Sequence, residues 1–241
     1  MPAAPDRRAA DIPLDNGRML SVRLSVNPRA RRVSVRIDAV RREAVATAPN
    51  ERQLKRAIKF AAERATWIAQ ELARLPMGTP FAPGATIPIR GVPHRLEMKL
   101  GRGAPYLEAG RLVVPTLDAA LFAARVKRFL MSEARADLAD RVAVHAETLN
   151  VKAPLRIAVK ETRSRWGSCS DDGALAFSWR VIFAPPFVLD YLAAHEASHL
   201  REMNHSRRFW SHVRRCMPEF ESGRAWLHEH GCALHAIGAT H

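Results

Sequence analysis

His195-Glu196-Ala197-Ser198-His199, with His205 six residues further on, is the stretch that decides how this chain is read. On a helix, positions i and i+4 lie on one face, one turn apart, so both imidazoles reach a single cation. Glu196, beside the first histidine, is close enough to act as general base on a water held by that cation. His205 is the natural third ligand. An unbroken helix would rotate it about 120° off the His199 face and carry it about 9 Å further along the axis. The helix must therefore end between them. Asn204 tolerates the left-handed conformation that terminates helices, and Ser206 can cap a new one. Three protein ligands leave a fourth position open for water, the pattern of a catalytic zinc, so one Zn2+ per chain is expected. Val188, Leu192, Ala193 and Leu200 make the helix apolar, hence buried. Two buried histidines and a carboxylate are costly without partners, and a cation resolves that cost.

Other chemistry-bearing residues read less sharply. Glu219, Glu221 and His228 are rival third ligands, with a plain reading as surface helix residues. His145 falls near the apolar stripe of an earlier helix and reads as a packed core histidine. Tyr191, Arg180 and His212 are candidate donors to a developing oxyanion. The six-residue step from second to third histidine is that of metzincins, but Glu202 stands where those carry glycine.

Outward from this centre, Pro185-Pro186 opens the helix, which is expected to run to about Met203. A Ser206-capped helix follows to about Met217, then a last helical stretch over roughly 219–235. Upstream, Arg165–Ser170 and Ala174–Trp179 form a hairpin about Asp171-Asp172-Gly173, preceded by a strand at Leu155–Glu161. A long helix is expected over about 117–149, opened by Pro115-Thr116. Its stripe is Phe122, Val126, Phe129, Leu138, Val142 and Leu149.

The N-terminal half reads differently. Residues 1–12 are Pro/Ala/Arg-rich and are expected to be a disordered lead. Alternating apolar residues from 18 to 49 predict strands. One long helix then carries Leu54, Ile58, Ala61, Ala65, Ile68 and Leu72, with Asn50 as its N-cap. A Gly/Pro loop at 76–84 leads to short strands at Thr86–Arg90, His94–Leu100, Tyr106–Ala109 and Leu112–Val114. The expected fold class is thus α+β, in three parts. These are the lead (1–12), a β-rich N-terminal module with one long helix (13–115), and a minimal zincin-like domain (116–241). No internal repeat is visible.

Composition bounds the function. The 241 residues are 47% hydrophobic and carry net charge +14. That is enough for a packed core, yet no apolar run reaches the ~18 residues of a membrane span. Three sparse cysteines, Cys169, Cys216 and Cys232, and no apolar leader segment point to a cytoplasmic setting. The positive charge fits nucleic acid or a nucleotide as a partner. Equally, Arg-rich composition with arginines spread along the chain needs no partner at all. Oligomeric state is not legible.

The hairpin is the second informative feature. Trp166, Gly167, Ser168 and Cys169, just before the metal helix, read as a site wall. Gly167 permits close backbone approach, and a sheet-edge strand there can pair with extended substrate. Cys169 reads as a small packed residue more readily than as a nucleophile. Together Arg165-Trp166-Gly167-Ser168-Cys169, Ser178-Trp179-Arg180, Ala184-Pro185-Pro186, the HExxH residues and Asn204-His205-Ser206-x-x-Phe209-Trp210 resemble the YgjP-like metal-dependent hydrolases. That family is related to the WLM and SprT-type zinc metallopeptidases. The resemblance is dense over about 150–215. It implies His195, His199 and His205 on zinc, with Glu196 catalytic.

Three functions follow as expectations. The first is a zinc peptidase acting on peptide or protein, with Trp166, Gly167, Ser168, Cys169 and Arg180 as substrate contacts. The second is a metal-dependent nucleoside triphosphate phosphohydrolase, an activity to which YgjP-like proteins have been linked. No Gly-rich phosphate loop is evident, although Arg163, Arg165 and Arg180 could hold phosphates. The third is a non-catalytic module in which zinc is structural and the charge binds nucleic acid. The resemblance to WLM and SprT-type proteins, which include proteases of DNA-bound proteins, also fits the charge.

Overall fold

The computed structural model describes residues 8–39, 41–75, 77–154, 156–162 and 165–238. It divides into two compact units, Met1–Pro76 and Met77–His241. The division therefore falls at 76–77 and not at 115–116. The strands at 86–116 belong with the metal helix rather than with the first module.

In the first unit, β1 (Ala9–Pro13), β2 (Met19–Val26), β3 (Ser34–Asp38) and β4 (Glu43–Ala48) form a sheet in the order β1-β2-β4-β3. Residues 9–12, expected to be disordered, are strand. Ala9–Pro13 pairs antiparallel with Met19–Arg23, and Ile12 is buried. The parallel β2–β4 pair is central, and β4 is buried on both faces. Two helices, α1 (Leu54–Ala62) and α2 (Ala65–Arg74), replace the single long helix expected. A turn at Glu63-Arg64 interrupts them, yet the apolar stripe survives the break. Ala57, Ala61, Ala65 and Ile68 close over Val22, Ala44 and Ala46. Asn50 does cap, accepting from the Gln53 N–H at 3.2 Å, but it caps a short 3-10 turn ahead of α1.

In the second unit, β5 (Thr86–Ile89), β6 (Val92–Leu100), β7 (Tyr106–Glu108) and β8 (Arg111–Thr116) are ordered β5-β6-β8-β7, again with a parallel central pair. The two four-stranded sheets thus share one strand order, a structural repeat with no counterpart in the sequence. Pro115 and Thr116 end β8 instead of opening a helix. Asp118 caps the turn that follows, accepting from the Ala120 N–H at 2.8 Å, and α3 (Phe122–Thr148) begins after it. Phe122, Val126, Leu130, Ala134, Leu138 and Val142 recur every fourth residue and are all buried.

A third sheet follows, with β9 (Ile157–Lys160), β10 (Gly167–Cys169) and β11 (Leu175–Ser178) in the order β10-β11-β9. The β10–β11 hairpin turns at Gly173, whose φ of 76° suits glycine. The chain ends in α4 (Pro186–Ser198), α5 (Arg207–Cys216) and α6 (Phe220–Ala236). Helix α4 is the hub of this unit, packed against α3, α5, α6 and strand β10. Its partners surround it, so apolar residues occur all round: Val188, Leu189, Leu192, Ala193, Ala194 and Ala197 are buried. Among the described residues no helix is long and apolar enough to cross a membrane.

Candidate metal centre

Helix α4 delivers His195 and Glu196 from its last turn, and His199 stands at its C-cap. The chain then tightens. The N–H groups of Leu200 and Arg201 reach back only three residues, to the carbonyls of Ala197 and Ser198. This stops the helix well before Met203, where it was expected to end. The reversal uses no left-handed Asn204, which is absent from the positive-φ residues. It is made by these short turns and by Ser206, whose N–H bonds the Asn204 carbonyl at 2.7 Å. Ser206 then caps α5, its hydroxyl accepting from the Phe209 N–H at 3.3 Å. His205, the residue before this cap, is turned back onto α4.

The three imidazoles converge. One nitrogen from each of His195, His199 and His205 lies within 4.8 Å of the others. The Nε2 atoms of His195 and His205 are 3.1 Å apart. Nitrogens on a tetrahedral zinc, each about 2.0–2.1 Å from the ion, stand roughly 3.3 Å from one another. The His199 Nδ1–H donates to the Glu202 carbonyl at 3.1 Å, which leaves its Nε2 lone pair turned inward. Behind the cluster, the fully buried Phe209 ring lies 4.5–4.9 Å from all three imidazole centroids.

Burial sets the electrostatics. Desolvation, helped by the neighbouring His199, His205 and Arg224, pushes His195 down to about 3, so it is a neutral donor at ordinary pH. Desolvation also lowers His199. Glu196 is only 4% exposed, and burial lifts its carboxyl to about 8 against the opposing pull of Arg165. His195 Nδ1 and Glu196 Oε2 are buried with no hydrogen-bond partner. Imidazole donors converging on one point, beside an unsatisfied carboxyl oxygen, fit a divalent cation.

A cleft of about 280 Å³ opens over the cluster. Gly167, Ser168 and Cys169 of β10 form one wall, with Arg165 and Met203 beside them. Gly167 lies directly on Glu196. A Cβ there would stand 2.6 Å from the Glu196 Cγ and Cδ. Burial, with Glu196, Asp172 and Asp171 nearby, raises the Cys169 thiol, which disfavours the thiolate.

Two of the expected substrate contacts lie elsewhere. Arg180 does not line the cleft. It is buried, donating through Nε to Glu161 at 2.9 Å and through Nη1 to the carbonyls of Leu234 and Ile237. It ties the hairpin to the end of α6. Trp166 faces α6 as well, its ring centroid 4.8 Å from that of His235 and its indole lying over Gly231. Tyr191 is buried in the core beside His195, and neither it nor His212 lines the cleft. Glu221 pairs with Arg214 at 2.8 Å, and Glu219 and His228 stand outside the histidine cluster. His145 is a core residue bonded to Asp190 at 2.6 Å. Arg163 lies outside the described residues. Phe209 and Met203 were not singled out for the site. The apolar residue one turn after His205 was the available signal for Phe209; Met203 carried none.

No curated protein matches this chain. Among solved structures, the metallopeptidase zymogen of Pyrococcus abyssi abylysin is similar at a TM-score of 0.35 and 17% identity, covering 38% of this chain and 93% of that one. The family described as YgjP-like, metallopeptidase domain, matches residues 31–230, which takes in most of both units. With that match laid over the three-histidine centre, the chain belongs to the YgjP-like family of metallopeptidase-like hydrolases.

Proposed function

We propose that the chain is a zinc-dependent peptidase in which His195, His199 and His205 hold the metal and Glu196 is the general base. The observation that carries this is three imidazoles converging on one point beside a buried carboxylate with an unpartnered oxygen. Zinc held there would polarise a carbonyl and let water act as a nucleophile near neutral pH. Glu196 takes the proton from that water and returns it to the departing amine nitrogen. Burial lifts the metal-free carboxyl to about 8, and a cation at the histidines would draw it down toward the ionised form that a base requires.

Strand β10 is the outer strand of its sheet, so one row of its backbone N–H and C=O groups faces away from β11. An extended peptide pairing along that row would lie across the cleft with a carbonyl over the histidines. Ser168 and Cys169 then act as wall, not as nucleophiles. A closed structural site needs four protein ligands. Among the described residues three histidines form the group, which supports an open catalytic position. Cys169 and Cys216 are in no disulfide, which supports a reducing, cytoplasmic setting.

The test is direct. Purified protein is expected to carry one zinc, His199→Ala to lose it, and Glu196→Gln to keep it without turnover. Wild type and Glu196→Gln are compared on a peptide library and on nucleoside triphosphates. Peptide cleavage that vanishes in the variant supports the proposal. Triphosphate hydrolysis that vanishes instead assigns the site to phosphoryl chemistry, and metal retention by His199→Ala overturns the ligand set.

A further inference from the structure

The first unit carries a surface that the metal centre does not use. Beside β3, the outer strand of its sheet, a groove of about 610 Å³ runs along α1 and α2. Arg56, Phe60, Arg64 and Trp67 follow one another along the helix pair, cation alternating with aromatic at one-turn steps, and Arg32 faces them across the groove. Among the described residues no carboxylate lines it.

Each of these side chains is in a state that water tolerates poorly or a partner would improve. Trp67 is 45% exposed, a large apolar face left in solvent. The Arg64 guanidinium lies 3.6 Å over the Phe60 ring, which holds the cation flat at the groove surface. Its carboxylate neighbour, Glu63, is an exposed pair at 3.5 Å. Among the described residues Arg32 and Arg56 are in no ion pair. The field around the groove is positive too, because residues 1–76 hold sixteen Lys and Arg against eight Asp and Glu.

From this groove we infer that the first unit binds single-stranded nucleic acid, its guanidinium groups on the phosphates and Trp67 stacked on a base. The ligand must be polyanionic and must also offer flat π-faces. An acidic peptide meets only the first requirement. Duplex nucleic acid meets it as well, but its base faces are stacked on one another and only edges are presented. A single strand meets both.

The experiment measures fluorescence anisotropy of the full-length protein with a labelled oligothymidylate of about 20 nucleotides, the same length of duplex, and a poly-glutamate competitor. Three guanidinium–phosphate contacts give a slope of log K against log salt of about −2 for the single strand. Arg32→Ala combined with Arg56→Ala flattens it to about −0.7. Trp67→Ala weakens binding about tenfold, the scale of one lost base stack, while Trp67→Phe retains most of the affinity. Arg102→Ala combined with Arg128→Ala removes equal charge from the second unit and leaves affinity unchanged. Thermal unfolding of each variant separates a lost contact from a lost fold. The inference is overturned if the Arg102/Arg128 variant loses as much affinity as the groove variant. It is equally overturned if duplex binds as tightly as single strand, or if poly-glutamate displaces the oligonucleotide at equal charge. None of these readouts depends on peptidase activity.

Discussion

Gly167 and Glu196 touch so closely that the glycine leaves no room for a methyl group. A Cβ at 167 would stand 2.6 Å from the Glu196 Cγ and Cδ. The obstructing Cγ and Cδ belong to a side chain that is itself only 4% exposed, so Gly167→Ala forces a buried carboxyl to move. We expect a stability loss of about 1–3 kcal/mol, retained metal, and a fall in kcat of about 100-fold from a base displaced by roughly 1 Å. Thermal unfolding, zinc analysis and steady-state kinetics on the same preparation check this. Unchanged kcat would show that the Glu196 position does not matter to turnover.

Glu196 should titrate far from the usual carboxylate range when no metal is present. Carbon-detected NMR of the carboxyl in metal-free protein is expected to give a midpoint near 8, falling when zinc is added. The native state then holds this proton longer than the unfolded chain does, whose value is near 4.5. Between those two pH values this group therefore makes metal-free protein less stable as pH rises. A midpoint below 5 without metal would contradict the burial argument.

Asp190 anchors the metal helix to α3. It accepts from Arg141 Nε at 2.6 Å and from His145 Nε2 at 2.6 Å, and His145 is 1% exposed. Asp190→Ala strands a buried imidazole that already has an unpartnered Nδ1. The expected loss is about 2–4 kcal/mol in chemical denaturation, with Asp190→Asn recovering part of it.

Glu161 gathers three donors: Lys127 Nζ at 2.8 Å, Arg180 Nε at 2.9 Å and Trp179 Nε1 at 3.0 Å. Partial burial raises its carboxyl, but these bonds outweigh that and bring it to about 2. Its contribution is complete above the unfolded value of 4.5 and is lost as pH falls through about 2. Because the group is 38% exposed, solvent screening keeps this contribution to about 1 kcal/mol. Glu161→Gln should flatten the acid limb of a stability–pH curve between those values, and an unaltered limb would assign it to other carboxylates.

What the sequence disclosed follows from how local each cause is. His195 and His199 are related by one helical turn, and the Ser206 cap acts over three residues, so both were readable. Strand β1 was not, because its pairing with Met19–Arg23 is specified by β2 and hidden in a Pro/Ala/Arg-rich segment. The helix break at Glu63-Arg64 has no Gly or Pro to announce it. Arg180 misled because an arginine beside a site wall reads the same whether it faces the cleft or the core. The carbonyls that claim it, on Leu234 and Ile237, are more than fifty residues away. Strands 86–116 were grouped with the wrong unit because order along the chain does not say which neighbour a sheet packs against.

Phe209 has the widest consequence. The chain places its three nitrogen donors against one benzene ring that has no donor atom of its own. Ring positions, and with them the size and angle of the opening offered to an ion, are moulded by hydrocarbon. On the proposed ligand set, discrimination between one divalent ion and another would then rest on the packing around a residue that is not itself a ligand.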